Sequence, residues 1–267
     1  SVLWPVRSAC EKMAYPYAWD YRFYYPVFYW SFFLLMLVTD LLFKKYRIGQ
    51  EKEEKAMEAE VKATIEDAQK LMVNSVAAIG RMIDEKDNYT RQHSQRVADY
   101  SRLIAENLKS FHPIEKEVDQ IYRSALLHDI GKIAIPDAIL KKTSRLTDEE
   151  YAIMKTHPVW GKKILAGLSF LPQADYGASY HHERYDGKGY PEGIRTDDLP
   201  YIVRIISAAD ALDAMNSNRC YRKQCSRNYI ISEFEKGSGT QFDPEVAETV
   251  IYLIEEGKIE IPEGENA

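Results

Sequence analysis

The sequence predicts an all-α protein: a helical body reached through one long connecting helix from one transmembrane helix. Three observations predict it. No stretch alternates apolar and polar residues well enough to make a strand. Residues 46 to 86 contain no proline, and their only glycines are Gly49 and Gly80. Beyond Asp84, apolar residues recur at helical spacing between recognisable capping signals.

The totals narrow the class. A chain of 267 residues holds one large domain or two small ones. With 28% charged and 12% aromatic residues it has the means to build a core, so it is no disordered chain. A net charge of −6 argues against a general nucleic-acid binder, so a small anionic substrate would need a local positive site. The cysteines are Cys10, Cys220 and Cys225, too few for a disulfide framework, and Cys220 and Cys225 read as ordinary thiols of a reducing compartment.

Residues 23 to 43 read FYYPVFYWSFFLLMLVTDLLF. About 20 apolar residues span a bilayer as a helix. The one charge, Asp40, lies near one end, and Tyr24, Tyr25, Tyr29 and Trp30 cluster at the other as an interfacial belt would. Lys44, Lys45 and Arg47 follow at once, which places the carboxy-terminal side in the cytoplasm. The apolar run is too long for a cleaved signal peptide. Residues 1 to 22, opening on Ser1, read as the remnant of an extracytoplasmic or membrane region.

Residues 50 to 62 are rich in Glu, Lys and Ala, which favour helix. Val61, Ile65, Ala68, Met72, Ile79 and Ile83 fall on one stripe. Such a stripe suits either pairing with a second copy or packing on the chain's own body. The body then reads as successive helices. One runs from about Thr90 to Lys109. The next runs from about Ile114 to Leu127, and a third starts at a Thr147/Glu150 capping box and ends at His157 before Pro158. A fourth covers Arg204 to Met215, a fifth starts at Ser226, and the last opens on Asp243-Pro244 and stops at Gly257.

Five of the six histidines sit in polar motifs beside an aspartate, a glycine or a helix end. The candidate ligands are His93, His128 with Asp129, His157, His181 with His182, and Asp210. Neighbouring residues on a helix point about 100° apart. Adjacent ligands such as His128 and Asp129, or His181 and His182, therefore serve two neighbouring ions more easily than one. A carboxylate such as Asp129 has two oxygens and can bridge them. Imidazole with carboxylate suits Fe, Mn or Zn rather than Ca or Mg. A pair of such ions traps anions and suits phosphoester hydrolysis. In HHERYDGKGYP, residues 181 to 191, the glycines permit positive φ and close approach of the backbone.

HDIGK, residues 128 to 132, resembles the HD phosphohydrolase superfamily, and with HHERYDGKGYP it is similar to the HD-GYP domain, a bacterial cyclic di-GMP phosphodiesterase. DNYTRQHSQRVA (87–98), LTDEEYAIMKTHP (146–158), RIISAADALDAM (204–215) and GTQFDPEV (239–246) belong to the same resemblance. It implies a helical bundle of the HD/HD-GYP type over residues 83 to 257. Residues 44 to 82 are then the linker and 258 to 267 a tail. The resemblance implies two divalent ions, Fe or Mn favoured and Zn admissible. One set would be His93, His128, Asp129 and Asp210; the other would be Asp129, His157, His181 and His182. Some family members bind a third ion through a glutamate four residues before the first histidine; Tyr89 stands there, so the expectation is two. Lys132 matches the lysine at the scissile phosphate, with Asp129 beside it. Asp87, Tyr190, Asp213, Arg219 and Arg222 match positions at the substrate cleft, and Glu183 and Arg184 would brace the site. Cys220, in place of a frequent proline, and KKTSR after Leu140 depart from the family's usual pattern.

The activity implied is hydrolysis of cyclic di-GMP to linear pGpG, or on to GMP. The rivals are another cyclic dinucleotide such as cyclic GMP-AMP, and a weakly catalytic sensor binding nucleotide or a protein partner at the GYP loop. The expected setting is the inner membrane, single-pass, with the catalytic body cytoplasmic and a homodimer formed through the linker helix.

Overall fold

A computed structural model describes residues 21–87, 92–110, 112–166, 173–195, 198–217 and 224–261. Every regular element among them is helical. The one bridge of β type joins Ser238 to Phe242. The chain divides into two compact units, Ser1–Ala68 and Gln69–Ala267.

Helix α1, Tyr21–Lys86, has 66 residues and contributes to each unit. In the first unit its apolar side chains, Phe28, Trp30 and Leu35 among them, are exposed. This part of the helix is long and apolar enough to cross a membrane. Asp40, the charge within the apolar run, pairs with Lys44 one turn on, at 2.7 Å.

The second unit starts earlier than residue 83, because Val76 and Ile83 are both buried in its core and Met72 packs against it. The predicted stripe is therefore only partly the buried one: Val61, Ile65 and Ile79 are exposed. Helices α2 (His93–Asn107) and α3 (Glu115–Leu126) pack on each other. A 3₁₀ turn, Ile130–Ala134, and the short α4, Asp137–Leu140, follow. Helix α5 is Asp148–Met154 and opens on the predicted capping box, the Thr147 amide donating to Glu150 Oε2 at 2.8 Å.

His157 does not end this helix. It starts another, α6 (His157–Leu165), with Pro158 in the first turn, where a missing N–H costs nothing. Helix α7 (Ala174–Tyr180) also goes beyond the sequence expectation. Helix α8, Tyr201–Asn216, begins three residues before Arg204 because Pro200 ends the preceding loop. Helices α9 (Arg227–Gly237) and α10 (Pro244–Glu255) start at Ser226 and Asp243 as expected.

Gly257 closes α10 at φ +69°, with the Lys258 amide donating to Leu253 O at 2.9 Å and the Gly257 amide to Ile254 O at 3.2 Å. This reversal buries Ile259, so the packed body runs past residue 257, into what the sequence suggests is tail.

Candidate metal centre

The candidate ligands gather from helix ends. His93 opens α2, His128 and Asp129 follow α3, His157 opens α6, and His181 and His182 follow α7. Asp210 lies within α8. The last carbonyls of a helix have no partner within it. Three of the histidines take that role: Nδ1 of His128 lies 2.7 Å from Ala125 O, that of His157 2.9 Å from Met154 O, and that of His181 2.8 Å from Gly177 O. With the proton on Nδ1, each ring turns its Nε2 lone pair inward.

Asp129 stands in the middle. Its Oδ2 lies 3.7 Å from His93 Nε2 and 3.4 Å from His128 Nε2. Its Oδ1 lies 3.4 Å from His157 Nε2 and 3.8 Å from His181 Nε2. One carboxylate thus faces two separate sets of imidazoles. Asp210 Oδ1 joins the first, 3.4 Å from His93 Nε2. Within each of the groups His93–His128–Asp129 and His157–His181–His182, one ligand atom per residue lies within 4.8 Å of the others.

Two further observations fit a cation. His128 Nε2 is buried with no hydrogen-bond partner. His157 Nε2 and His181 Nε2 are 3.2 Å apart, so two lone pairs converge on one place. Buried polar atoms left this way are costly unless something is shared between them.

The surroundings set the charges. Burial alone would raise the Asp129 carboxyl, but the Lys132 ammonium and the surrounding histidines hold it well below the usual range. Burial pushes His157 and His181 down to about 4, and lowers His128 and His182 as well. His93 goes the other way: burial opposes it, yet the hydrogen bond to Asp213 and the charges of Asp210 and Asp129 raise it. Lys132 Nζ lies 2.7 Å from Asp129 Oδ2 and 2.9 Å from Asp87 Oδ2. These two carboxylates outweigh its burial and keep it protonated.

Glycine positions this machinery. A Cβ on Gly131 would stand 1.8 Å from His157 O, so the 3₁₀ turn carrying Lys132 lies directly on the start of α6. At Gly189 a Cβ would meet the Glu183 Cα at 2.5 Å. That close return lets the Tyr190 ring stack on His182, with centroids 4.7 Å apart. Glu183, buried beneath, accepts from the amides of Glu192, Gly193 and Ile194 at 2.7, 2.9 and 3.1 Å. Arg184 pairs with Asp186 at 3.1 Å, so it braces the turn rather than the ligands. Tyr190, His182 and Asp210 border two cavities, of about 640 and 400 Å³. Asp87, Lys132, Lys142 and Arg145 line the larger.

Asp213 is corrected. It does not line either of these cavities; at 1% exposure it lies behind His93, its Oδ2 2.7 Å from His93 Nδ1 and its Oδ1 2.5 Å from Arg96 Nε. Its spacing from Asp210 explains this, since residues three apart share a helix face. Arg96, three residues after His93, was legible by the same rule but escaped the sequence reading. So did the last turn of α1. There Asp84 takes Ser94 Oγ at 2.6 Å, and Lys86 Nζ donates to the carbonyls of Lys132, Ile133 and Ile135 at 3.3, 2.8 and 3.2 Å. Arg219, Arg222, Tyr89 and Cys220 lie outside the described residues.

A family model described as HD domain matches residues 78–246. A cyclic di-GMP phosphodiesterase of Vibrio cholerae serotype O1 is 35% identical over 193 residues, 68% of this chain and 39% of the relative. A 3'3'-cGAMP-specific phosphodiesterase 3 of the same organism is 38% identical over 172 residues, 64% of this chain and 36% of the relative. The chain therefore spans well under half the length of either. Among solved structures, a cyclic GMP-AMP-specific phosphodiesterase of V. cholerae matches in fold with a TM-score of 0.54 at 19% identity, over 70% of this chain and 49% of that one.

Proposed function

Because the chain belongs to the HD domain family, we propose that it is a metal-dependent phosphodiesterase that hydrolyses cyclic di-GMP to linear pGpG, or on to GMP. The observation that carries this reading is Asp129, whose two oxygens face two different sets of histidines. His93, His128, Asp129 and Asp210 would hold one divalent ion; Asp129, His157, His181 and His182 would hold a second. Fe and Mn suit these ligands, as does Zn. Such ions, when bound, activate water and neutralise charge on the phosphoryl oxygens.

The chain's own residues do the rest. Lys132, kept protonated between Asp129 and Asp87, offers a fixed cation to the phosphate. Asp87 positions that ammonium from the side of α1. Tyr190, stacked on His182 at the border of both cavities, presents a face on which a base can lie. Arg219 and Arg222 would contact phosphate or a guanine edge. The apolar part of α1 would anchor the chain once in the inner membrane with the catalytic body cytoplasmic, and the linker stripe would pair two copies.

Turnover of cyclic di-GMP by protein loaded with Mn or Fe, lost in His128→Ala, is the expected result; unchanged turnover in that variant would refute the assignment. A second substrate, 3'3'-cGAMP, is favoured by the relative that hydrolyses it. Side-by-side turnover of the two dinucleotides decides between them.

A further inference from the structure

The five histidines named as ligands are not oriented alike. Those at 128, 157 and 181 rest Nδ1 on neutral main-chain carbonyls. His93 begins its helix, so no preceding turn of α2 lies behind its ring. Its Nδ1 meets a carboxylate instead, Asp213 Oδ2 at 2.7 Å. Asp213 is itself clamped by Arg96, whose Nε lies 2.5 Å from Oδ1 and whose second terminal nitrogen lies 3.0 Å from Oδ2. This fork fixes the plane of the carboxylate and hence of the ring. A carboxylate behind an imidazole makes the opposite nitrogen a stronger donor than a carbonyl does. The sets differ in charge as well: Asp210 lies within 4 Å of His93 and His128, whereas the carboxylate that approaches His157 and His181 this closely is that of Asp129.

We infer that the two cation positions are unequal, and that Asp213 and Arg96 act as positioning residues making the His93 position the tighter one. This rests on the two-ion reading above. It predicts two separate binding steps when the metal-free full chain is titrated with Mn²⁺ by calorimetry. In Asp213→Asn the tighter step weakens by about 10–100-fold while the weaker step keeps its affinity. Arg96→Met weakens the same step, by less, and carries the test should the first variant fail to fold. Two steps in the wild type that both stay unchanged in these variants overturn the inference but leave the two-ion reading standing. Two steps that weaken equally also overturn it, because they report general damage to the body. A wild type that binds a single ion refutes the two-ion reading, and the inference with it.

Discussion

Lys132 offers the sharpest test of how the metal-free site is held together. Its ammonium is shared by Asp129 and Asp87 at 2.7 and 2.9 Å, and the three side chains are only 16%, 7% and 8% exposed. Replacing it with methionine keeps the stem and removes the charge. Two buried carboxylates then lose their shared cation. Breaking a buried pair in this way costs about 3–5 kcal/mol. For a body of roughly 200 residues each kcal/mol shifts Tm by about 2–4 °C, so the metal-free variant should melt about 6–20 °C lower. Saturating Mn²⁺ supplies Asp129 with positive charge again, so the deficit should shrink in the loaded protein. Calorimetric melting of wild type and Lys132→Met, each with chelator and with Mn²⁺, gives all four values. A deficit equal in both states would mean that Lys132 acts by packing. No deficit with chelator would refute the shared ion pair itself.

Three other outcomes follow from the geometry. The metal-free protein should gain stability as pH rises from about 4 to 6.5: His157 and His181 titrate near 4 when folded and near 6.5 when unfolded, so the unfolded chain binds more protons in that window. His93, raised, contributes with the opposite sign, but His128 and His182 are lowered too; urea midpoints at pH 4.5 and 7 that were equal or reversed would contradict this balance. Glu183→Gln would turn an amide N–H toward main-chain donors and cost about 1–3 kcal/mol, weakening nucleotide binding while the metal content, read by atomic absorption, stays at the wild-type value. Gly131→Ala would drive the 3₁₀ turn off the start of α6, and the purified variant should carry less metal than the wild type.

What was legible in the chain was local. Thr147 with Glu150, Ser226, and Asp243 with Pro244 mark helix starts because a cap is made within three or four residues. The five candidate histidines stood out because each sits in a polar motif beside an aspartate, a glycine or a helix end. Pro158 was misread because a proline both stops one helix and suits the first turn of the next, and nothing nearby decides between them. Asp213 was misplaced for a different reason: its partner His93 is 120 residues away, and only the packing of α8 on α2 brings them together. The body's two edges also escaped notice. Val76 and Ile259 look like parts of a linker and a tail until a core exists to receive them.

The last turn of α1 bears on how short a functional chain can be. Asp84, Lys86 and Asp87 secure the floor under His93, the carbonyls of the 3₁₀ turn, and Lys132. Those three grips need a helix behind them, and a single turn does not hold its shape in water. A chain trimmed to residue 83 would retain all three side chains yet lose the turns around Val76 that keep them aimed. Trimming to Gln69 keeps about four more turns and the whole compact unit. The smallest intact helical body is thus longer than its motifs suggest, and its first necessary residues belong to the connecting helix.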